Sequence, residues 1–163
     1  MKGRSRRGSR VKAIIRANRY MTLATADRSA KPWISPLFFA EEKGIFYWYS
    51  PKRSRHSRYI ATNPRVAITI FNSTSPPSLV YGAYFEAYAR ELDQAVEVRV
   101  ALAVLAQKSY RSPGNRRAMR SSVNDFVGSS PLRVYAAKTK NAWVLGPVKK
   151  YRAHYLDSRV KVD

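Results

Sequence analysis

The sequence predicts a mainly β fold with some α-helix, in which an antiparallel β-barrel carries helices at its ends. Short runs of aromatic and β-branched residues recur along the chain, and turn-forming residues separate them. Helical periodicity is confined to a few short segments. Strands and helices do not alternate regularly, and no repeat of about 20–50 residues is present, which disfavours parallel α/β and solenoid folds.

Composition places the chain among folded proteins. Its 163 residues suffice for one domain with a real core, and a hydrophobic content of 45% excludes a disordered chain. The sequence contains no cysteine, which excludes disulfides and thiolate-bound metals. Its two histidines, His56 and His154, are far apart, so we expect no metal centre.

The charge balance is strongly basic. The chain has 31 lysines and arginines against 10 acidic residues, a formal charge of +21, which favours anionic partners such as nucleic acids or phosphorylated small molecules. No apolar run approaches the roughly 20 residues of a membrane helix. The basic N-terminus lacks the apolar middle of a signal peptide. We therefore expect a cytoplasmic protein without a membrane partner.

The first third of the chain predicts a basic leader, a helix and two strands. We expect residues 1–10 to form a flexible tail and residues 11–163 a single domain, because the tail is basic and of low complexity. The predicted elements are a helix over Val11–Asn18, strands over Tyr20–Thr25 and Lys31–Ala40, and a hairpin turn over Glu41–Gly44.

The stretch Phe46–Phe71 has the most distinctive pattern. An aromatic strand ends at Ser50-Pro51, and five basic side chains then surround Ser54 and Ser57. We expect a short helix from about Ser54 to Thr62, which either Ser50 or Ser54 could cap. Asn63-Pro64 ends this helix because the residue before proline avoids helical geometry.

This turn has the features of an anion site. The N–H groups at a helix N-terminus favour negative charge, and hydroxyl and guanidinium groups add charge-assisted hydrogen bonds. The pattern therefore predicts a site for a phosphate monoester. The alternative is that a basic chain simply carries arginines on any exposed loop.

The order of these segments resembles the pyridoxamine 5'-phosphate oxidase-like flavoproteins, which are FMN-binding split barrels. The similarity is most specific over Met21–Asn72 and includes the continuation Asn63-Pro64-Arg65-Val66. It implies a six-stranded split barrel that binds FMN. It also implies a homodimer with the flavin at the subunit interface, for which the aromatic residues Trp33, Phe38, Phe39 and Tyr84 suit a buried seam.

The resemblance also implies a set of cofactor contacts, while no catalytic side chain is identified. Residues of the turn would hold the phosphate, with Lys52 or Arg53 assisting, and the second strand would lie along the isoalloxazine ring. The phosphate candidates are Ser50, Ser54, Arg55 and His56; the ring candidates are Trp33, Ser35 and Pro36; Tyr49, beside the turn, completes the set.

Two departures from the true oxidases bear on activity. Aromatic residues near Trp33 and Phe38 replace basic residues of the second strand, and Arg152-Ala153-His154 follows Trp143 at a longer spacing than the family's substrate-binding element. The sequence therefore favours a general FMN-linked oxidoreductase over vitamin B6 oxidation. A reductase using the deazaflavin F420 is the close alternative. A nucleic-acid-binding module is less favoured, because no nucleic-acid motif accompanies the charge.

The second half of the chain predicts a loop, a long strand, a helix and two closing strands. The predicted ranges are loop Asn72–Ser78, strand Val80–Leu92, helix Gln94–Gln107, one or two helical turns within Arg116–Phe126, strands Leu132–Lys138 and Ala142–Leu145, and a basic tail.

Overall fold

Ten strands and three α-helices make up the part of the chain that the computed structural model describes, which is residues 2–76, 81–109, 122–146, 149–152, 154–156 and 158–162. The helices are α1 (Lys2–Ala17), α2 (Arg55–Thr62) and α3 (Ala95–Ser109), with a 3₁₀ helix at Val123–Phe126. The strands are β1 (Tyr20–Ala26), β2 (Pro32–Phe38), β3 (Ala40–Glu42), β4 (Ile45–Pro51), β5 (Arg65–Phe71), β6 (Gly82–Leu92), β7 (Leu132–Leu145), β8 (Lys149–Tyr151), β9 (His154–Leu156) and β10 (Arg159–Val162).

The main sheet is a curled, antiparallel split barrel. Its strand order is β2-β1-β5-β6-β7-β4-β3, with β10 added on β7, while β8 and β9 form a separate hairpin. The two outer strands, β2 and β3, are separated in sequence by Phe39 alone. The sheet must therefore curl until its edges approach each other. The predicted fold class is confirmed, although the main sheet has eight strands rather than six.

Alternation along the strands separates the core from the outer face. Along β4, Phe46 and Trp48 point inward and are fully buried, as the aromatic alternation predicts. Trp48 stacks on Tyr135 of β7, with ring centroids 5.6 Å apart. The same alternation turns Ser50 inward, so the last strand position before the turn carries a buried hydroxyl.

Helix α2 follows β4 and precedes β5, and it ends at Thr62, directly before Asn63-Pro64, as the sequence predicts. The Asn63 N–H donates to the carbonyl of Tyr59 at 2.7 Å, and the Asn63 side-chain amide donates to the carbonyl of Ala26 at 3.1 Å. These bonds end the helix and fasten its C-terminus to the end of β1. The N-terminus of α2 therefore has a fixed position beside β2.

Helix α1 and strand β7 differ from the expected bounds. Helix α1 begins at Lys2 rather than Val11, since lysine and arginine are good helix formers and no proline interrupts them. Strand β7 is continuous where two strands were predicted. Glu86 pairs with Asn141 and Ala87 with Thr139, which leaves Lys140 as the extra residue of a β-bulge.

Two further expectations are corrected by the structure. Phe39 was expected at a subunit interface, but it is completely buried in the chain's own core, where its ring centroid is 5.7 Å from that of Phe46. The basic C-terminal tail contains β8, β9 and β10. The alternating sequence Arg159-Val160-Lys161-Val162 was the signal for the last of these.

Candidate functional site

The turn between β4 and α2 has the geometry of an anion site. The Ser54 N–H donates to the Pro51 carbonyl at 3.0 Å and closes the turn. Ser54 is the N-cap of α2, and its Oγ accepts from the Ser57 N–H at 3.4 Å. The first turn of the helix has no acidic residue. The remaining N–H groups at this end of α2 therefore have no acidic side chain of their own helical turn to compete with a bound anion.

His56 supports this turn from the protein interior. It is buried, with only 7% of its surface exposed, and burial lowers the pKa of its imidazole below the usual value. Its Nδ1 lies 3.1 Å from Ser35 Oγ on β2, and its Nε2 lies 3.0 Å from Ser54 Oγ. The ring thus joins the second strand to the helix cap.

Three serines surround the His56 ring. Each ring nitrogen lies within hydrogen-bond distance of one serine hydroxyl, Ser35 or Ser54, and the tautomer of the ring sets which of these two contacts it donates. Ser54 Oγ also lies 2.8 Å from Ser57 Oγ. Ser57, which the sequence reasoning missed, completes this chain of three serines around one neutral histidine. Its position three residues after the cap was the available signal.

Arg55 and Trp33 form the exposed part of the site. The Arg55 guanidinium carbon lies 4.1 Å from the centroid of the Trp33 ring, a cation–π contact. The two residues were predicted to serve opposite ends of the cofactor. The structure brings them together, with the indole holding the guanidinium beside the helix N-terminus. Both side chains are exposed, so the donor edge of Arg55 is available to a ligand.

The other predicted site residues fall into two groups. Ser35 and Ser50 are buried, whereas the remaining members are exposed. The Lys52 ammonium is 3.6 Å from the carboxylate of Glu91. Arg53 is the second exposed guanidinium of the turn, after Arg55. The exposed members are Pro36, Tyr49, Lys52 and Arg53.

A buried arginine tethers the turn to the neighbouring loop. Arg133 donates to Glu91 at 2.8 Å and to the carbonyl of Gly128 at 2.5 Å, and it also bonds the carbonyl of Ser130. The same loop accepts a hydrogen bond from the Lys52 N–H through Pro131, at 2.8 Å. Sequence reasoning missed Arg133, because its carboxylate partner Glu91 comes from β6, 42 positions earlier in the chain.

Strand β2 gives the site a backbone edge. It is the outer strand of the sheet and pairs only with β1 among the described strands. Its other edge carries N–H and C=O groups that can bond a planar polar ligand. The residues present therefore fit a phosphorylated flavin: a helix N-terminus and two arginines for the phosphate, and a strand edge for the ring.

No group of three His, Cys, Asp or Glu side chains among the described residues is placed to hold a metal ion. Both ring nitrogens of His56 are hydrogen-bonded inside the protein, so this imidazole is not available as an axial ligand. Nor is any helix in the described ranges both long and apolar enough to cross a membrane.

Structural comparison places the chain among known split barrels. A protein assigned to 5-nitroimidazole antibiotic resistance in Bacteroides thetaiotaomicron aligns with a TM-score of 0.65 and 15% identity, over 83% of this chain and 81% of its own. HutZ, the heme storage protein from Vibrio cholerae, aligns with a TM-score of 0.62 and 18% identity, over 81% of this chain and 89% of its own. An FAD-binding protein from Mesorhizobium loti aligns with a TM-score of 0.59 and 16% identity, over 82% of this chain and 89% of its own.

Sequence comparison identifies the family directly. A search of curated proteins found no significant match. The family model described as pyridoxamine 5'-phosphate oxidase matches residues 9–127, which include the whole of the turn and α2. That match covers well over half of the chain, and the fold agrees with it. The chain therefore belongs to the pyridoxamine 5'-phosphate oxidase family.

Proposed function

We propose that this protein binds FMN and acts as a flavin-linked oxidoreductase on a small substrate. The observation that carries the proposal is the Ser54-capped N-terminus of α2, beside which Trp33 holds the Arg55 guanidinium. The family match and the FAD-binding structural relative support a flavin as the ligand.

Different parts of the site would bind different groups of FMN. Arg55 and Arg53 would donate to the phosphate oxygens, and the N–H groups of α2 would add the helix dipole. His56 would hold Ser54 in place from below through its 3.0 Å contact. The edge of β2, including Ser35 and Pro36, would orient the ring. The bound flavin would supply the redox chemistry, and the protein would bind, orient and shield it.

The proposal includes a homodimer in the cytoplasm. The outer face of the sheet exposes apolar side chains from neighbouring strands, including Ile34 of β2 and Tyr20 of β1. Exposed apolar patches of this kind are typical of association surfaces. The patch adjoins the edge of β2, so a second subunit seated there would also cover the flavin ring.

Heme binding is the second candidate function, because structural relatives include the heme storage protein HutZ. The closed hydrogen bonding of His56 argues against it at this turn. An F420-dependent activity fits the same phosphate geometry. A nucleic-acid-binding role has the charge of +21 in its favour.

Visible absorption of the purified protein, titrated separately with FMN, riboflavin, F420 and hemin, tests the proposal. We expect saturable FMN binding, with a flavin spectrum perturbed by the protein, and weaker binding of riboflavin, which lacks the phosphate. Tight hemin binding without flavin binding would contradict the proposal. Preference for F420 over FMN would change the proposed cofactor to F420 and leave the proposed phosphate site unchanged.

A further inference from the structure

A second cavity lies away from the phosphate turn. It has a volume of about 1220 Å³ and lies where helices α1 and α3 meet the β3–β4 hairpin. That hairpin is at the start of β4, whereas the phosphate turn follows its end. Protein interiors are closely packed, and ligand cavities measure roughly 300–1000 Å³. A cavity this large is therefore sufficient for a ligand of its own.

The floor of this cavity is apolar. Phe46 and Phe85 contribute from the barrel, Val11 and Ile15 from α1, and Val104 from α3. These five side chains are all buried. An apolar chain lying along this floor would be removed from water on the side that faces the protein, and transfer from water is the main source of affinity for such ligands.

The rim of the cavity is mainly cationic. Lys12, Arg16 and Lys43 line it and are exposed. The lining also includes Arg19 and Lys108, so five basic residues stand against two carboxylates. Lys108 already donates to the Ile15 carbonyl at 3.0 Å, and Glu41 accepts from the Gly44 N–H at 2.7 Å. Lys12 and Arg16, one helical turn apart, share one face of α1.

We propose that this cavity binds an elongated amphipathic anion, with an apolar chain on the aromatic floor and a carboxylate head at the rim. The head would pair with the exposed cations Lys12, Arg16 and Lys43 at the rim. The chemical class is that of a medium-chain fatty acid. This site is separate from the proposed flavin site and does not depend on it.

Displacement of a fluorescent probe, 11-(dansylamino)undecanoic acid, from the full-length protein tests this proposal. Dodecanoate should displace the probe, and dodecan-1-ol, which has the same chain without the charge, should be at least about tenfold weaker. Equal displacement by acid and alcohol, or no saturable probe binding, would overturn the proposal.

Two pairs of variants locate the site. Val104→Trp should fill the cavity and weaken probe binding at least about tenfold, whereas Val100→Trp, one turn earlier on α3 and half exposed, should not change it. Lys12→Glu with Arg16→Glu should weaken dodecanoate and leave dodecan-1-ol unchanged, with Arg58→Glu as the control. Melting temperatures of all variants separate loss of binding from loss of fold. Weakening by the control variants equal to that by the cavity variants would overturn the assignment.

Discussion

At the scale of single residues, His56 links the phosphate turn to the second strand. Its position explains why a histidine within a basic turn is uncharged: burial lowers the pKa of the imidazole. Neutral, it can donate to one of Ser35 and Ser54 and accept from the other in the same arrangement. The sequence predicts that His56 contacts the phosphate. In the structure its ring also holds Ser54, the serine that caps α2.

This burial predicts a pH-dependent stability. The unfolded chain takes up a proton at His56 near pH 6.5, and the folded chain resists protonation until a lower pH. The unfolded state therefore binds more protons between these two pKa values, and the free energy of unfolding falls as the pH falls through this window. Urea denaturation between about pH 7 and pH 5 measures the effect. His56→Gln should remove most of the slope, and His154→Gln serves as the control. An unchanged slope in His56→Gln would contradict the assignment.

The stacking of Arg55 on Trp33 gives a second prediction at this scale. Trp33→Ala should weaken FMN binding about two- to fivefold, because an exposed cation–π contact contributes roughly 0.5–1 kcal/mol. Trp33→Phe should retain most of the affinity, since it keeps an aromatic face for the guanidinium. Fluorescence titration with FMN distinguishes the two variants. Equal losses for Ala and Phe would show that the indole contacts the ligand in some other way.

At the scale of elements, two arginines on the neighbouring strands β6 and β7 pair with glutamates, and the two pairs are expected to contribute unequally to stability. Arg133 of β7 is buried with Glu91 and backbone carbonyls as partners, whereas Arg90 pairs with Glu97 at the exposed surface. Removing one partner of a buried pair leaves the others unsatisfied, while exposed pairs contribute little.

The pairs therefore form a matched test. We expect Arg133→Met to lower the free energy of unfolding by about 3 kcal/mol, the low end of the range for a buried pair because Glu91 is partly exposed. Arg90→Met should cost less than about 1 kcal/mol. Chemical denaturation provides both values. Similar losses in the two variants would mean that Arg133 does not anchor the loop beside the turn.

Helix α1 is anchored through its C-terminal half, and we expect its N-terminal half to be dispensable for folding. Val11 and Ile15 are buried against the barrel. Ile15→Ala should therefore cost about 2–3 kcal/mol. Removal of residues 1–10 should lower the melting temperature by less than about 4 °C, which corresponds to roughly 1 kcal/mol for a chain of this size. A larger drop on truncation would show that contacts of this segment, such as that of Arg10 with the Tyr81 ring at 5.0 Å, stabilise the fold.

The elements most accurately predicted from sequence were those with local signals. Ser54 and Asn63-Pro64 predicted both ends of α2, and Lys43-Gly44, with φ of 50° and 80°, form the hairpin turn that Glu41–Gly44 indicated. The early start of α1 and the bulge at Lys140 were missed. Arginine-rich segments fit a helix and a solvated tail equally well, and a bulge is defined by the partner strand.

The same limit applied to the site. The composition of the turn indicated an anion, because serine, arginine and a helix start are adjacent in sequence. The contacts between Ser35 and His56, and between Trp33 and Arg55, join residues about twenty positions apart. Only the curling of the sheet, which brings β2 beside α2, determines these pairs.

At the scale of the whole molecule, the outer face of the sheet predicts association. Ile34 of β2 is 60% exposed within an apolar patch, and Val96 of α3 is 69% exposed on a separate element. We expect light scattering to give a dimer mass at micromolar concentration. Ile34→Glu should shift the protein toward monomer because it places a charge in the seam, and Val96→Glu should not. A monomer mass for the unaltered protein with FMN present would contradict the dimer.

The phosphate turn is the feature on which the flavin proposal depends, and one titration tests it most directly. FMN and riboflavin are titrated against Arg55→Ala and against Arg58→Ala, which removes an exposed arginine one turn further along α2. Arg55→Ala should weaken FMN by about 1.5–3 kcal/mol, the range for hydrogen bonds to a charged group, and leave riboflavin nearly unchanged. Arg58→Ala should affect neither ligand. Equal losses of FMN and riboflavin in Arg55→Ala, or no loss of either, would contradict the assignment of the phosphate to this turn.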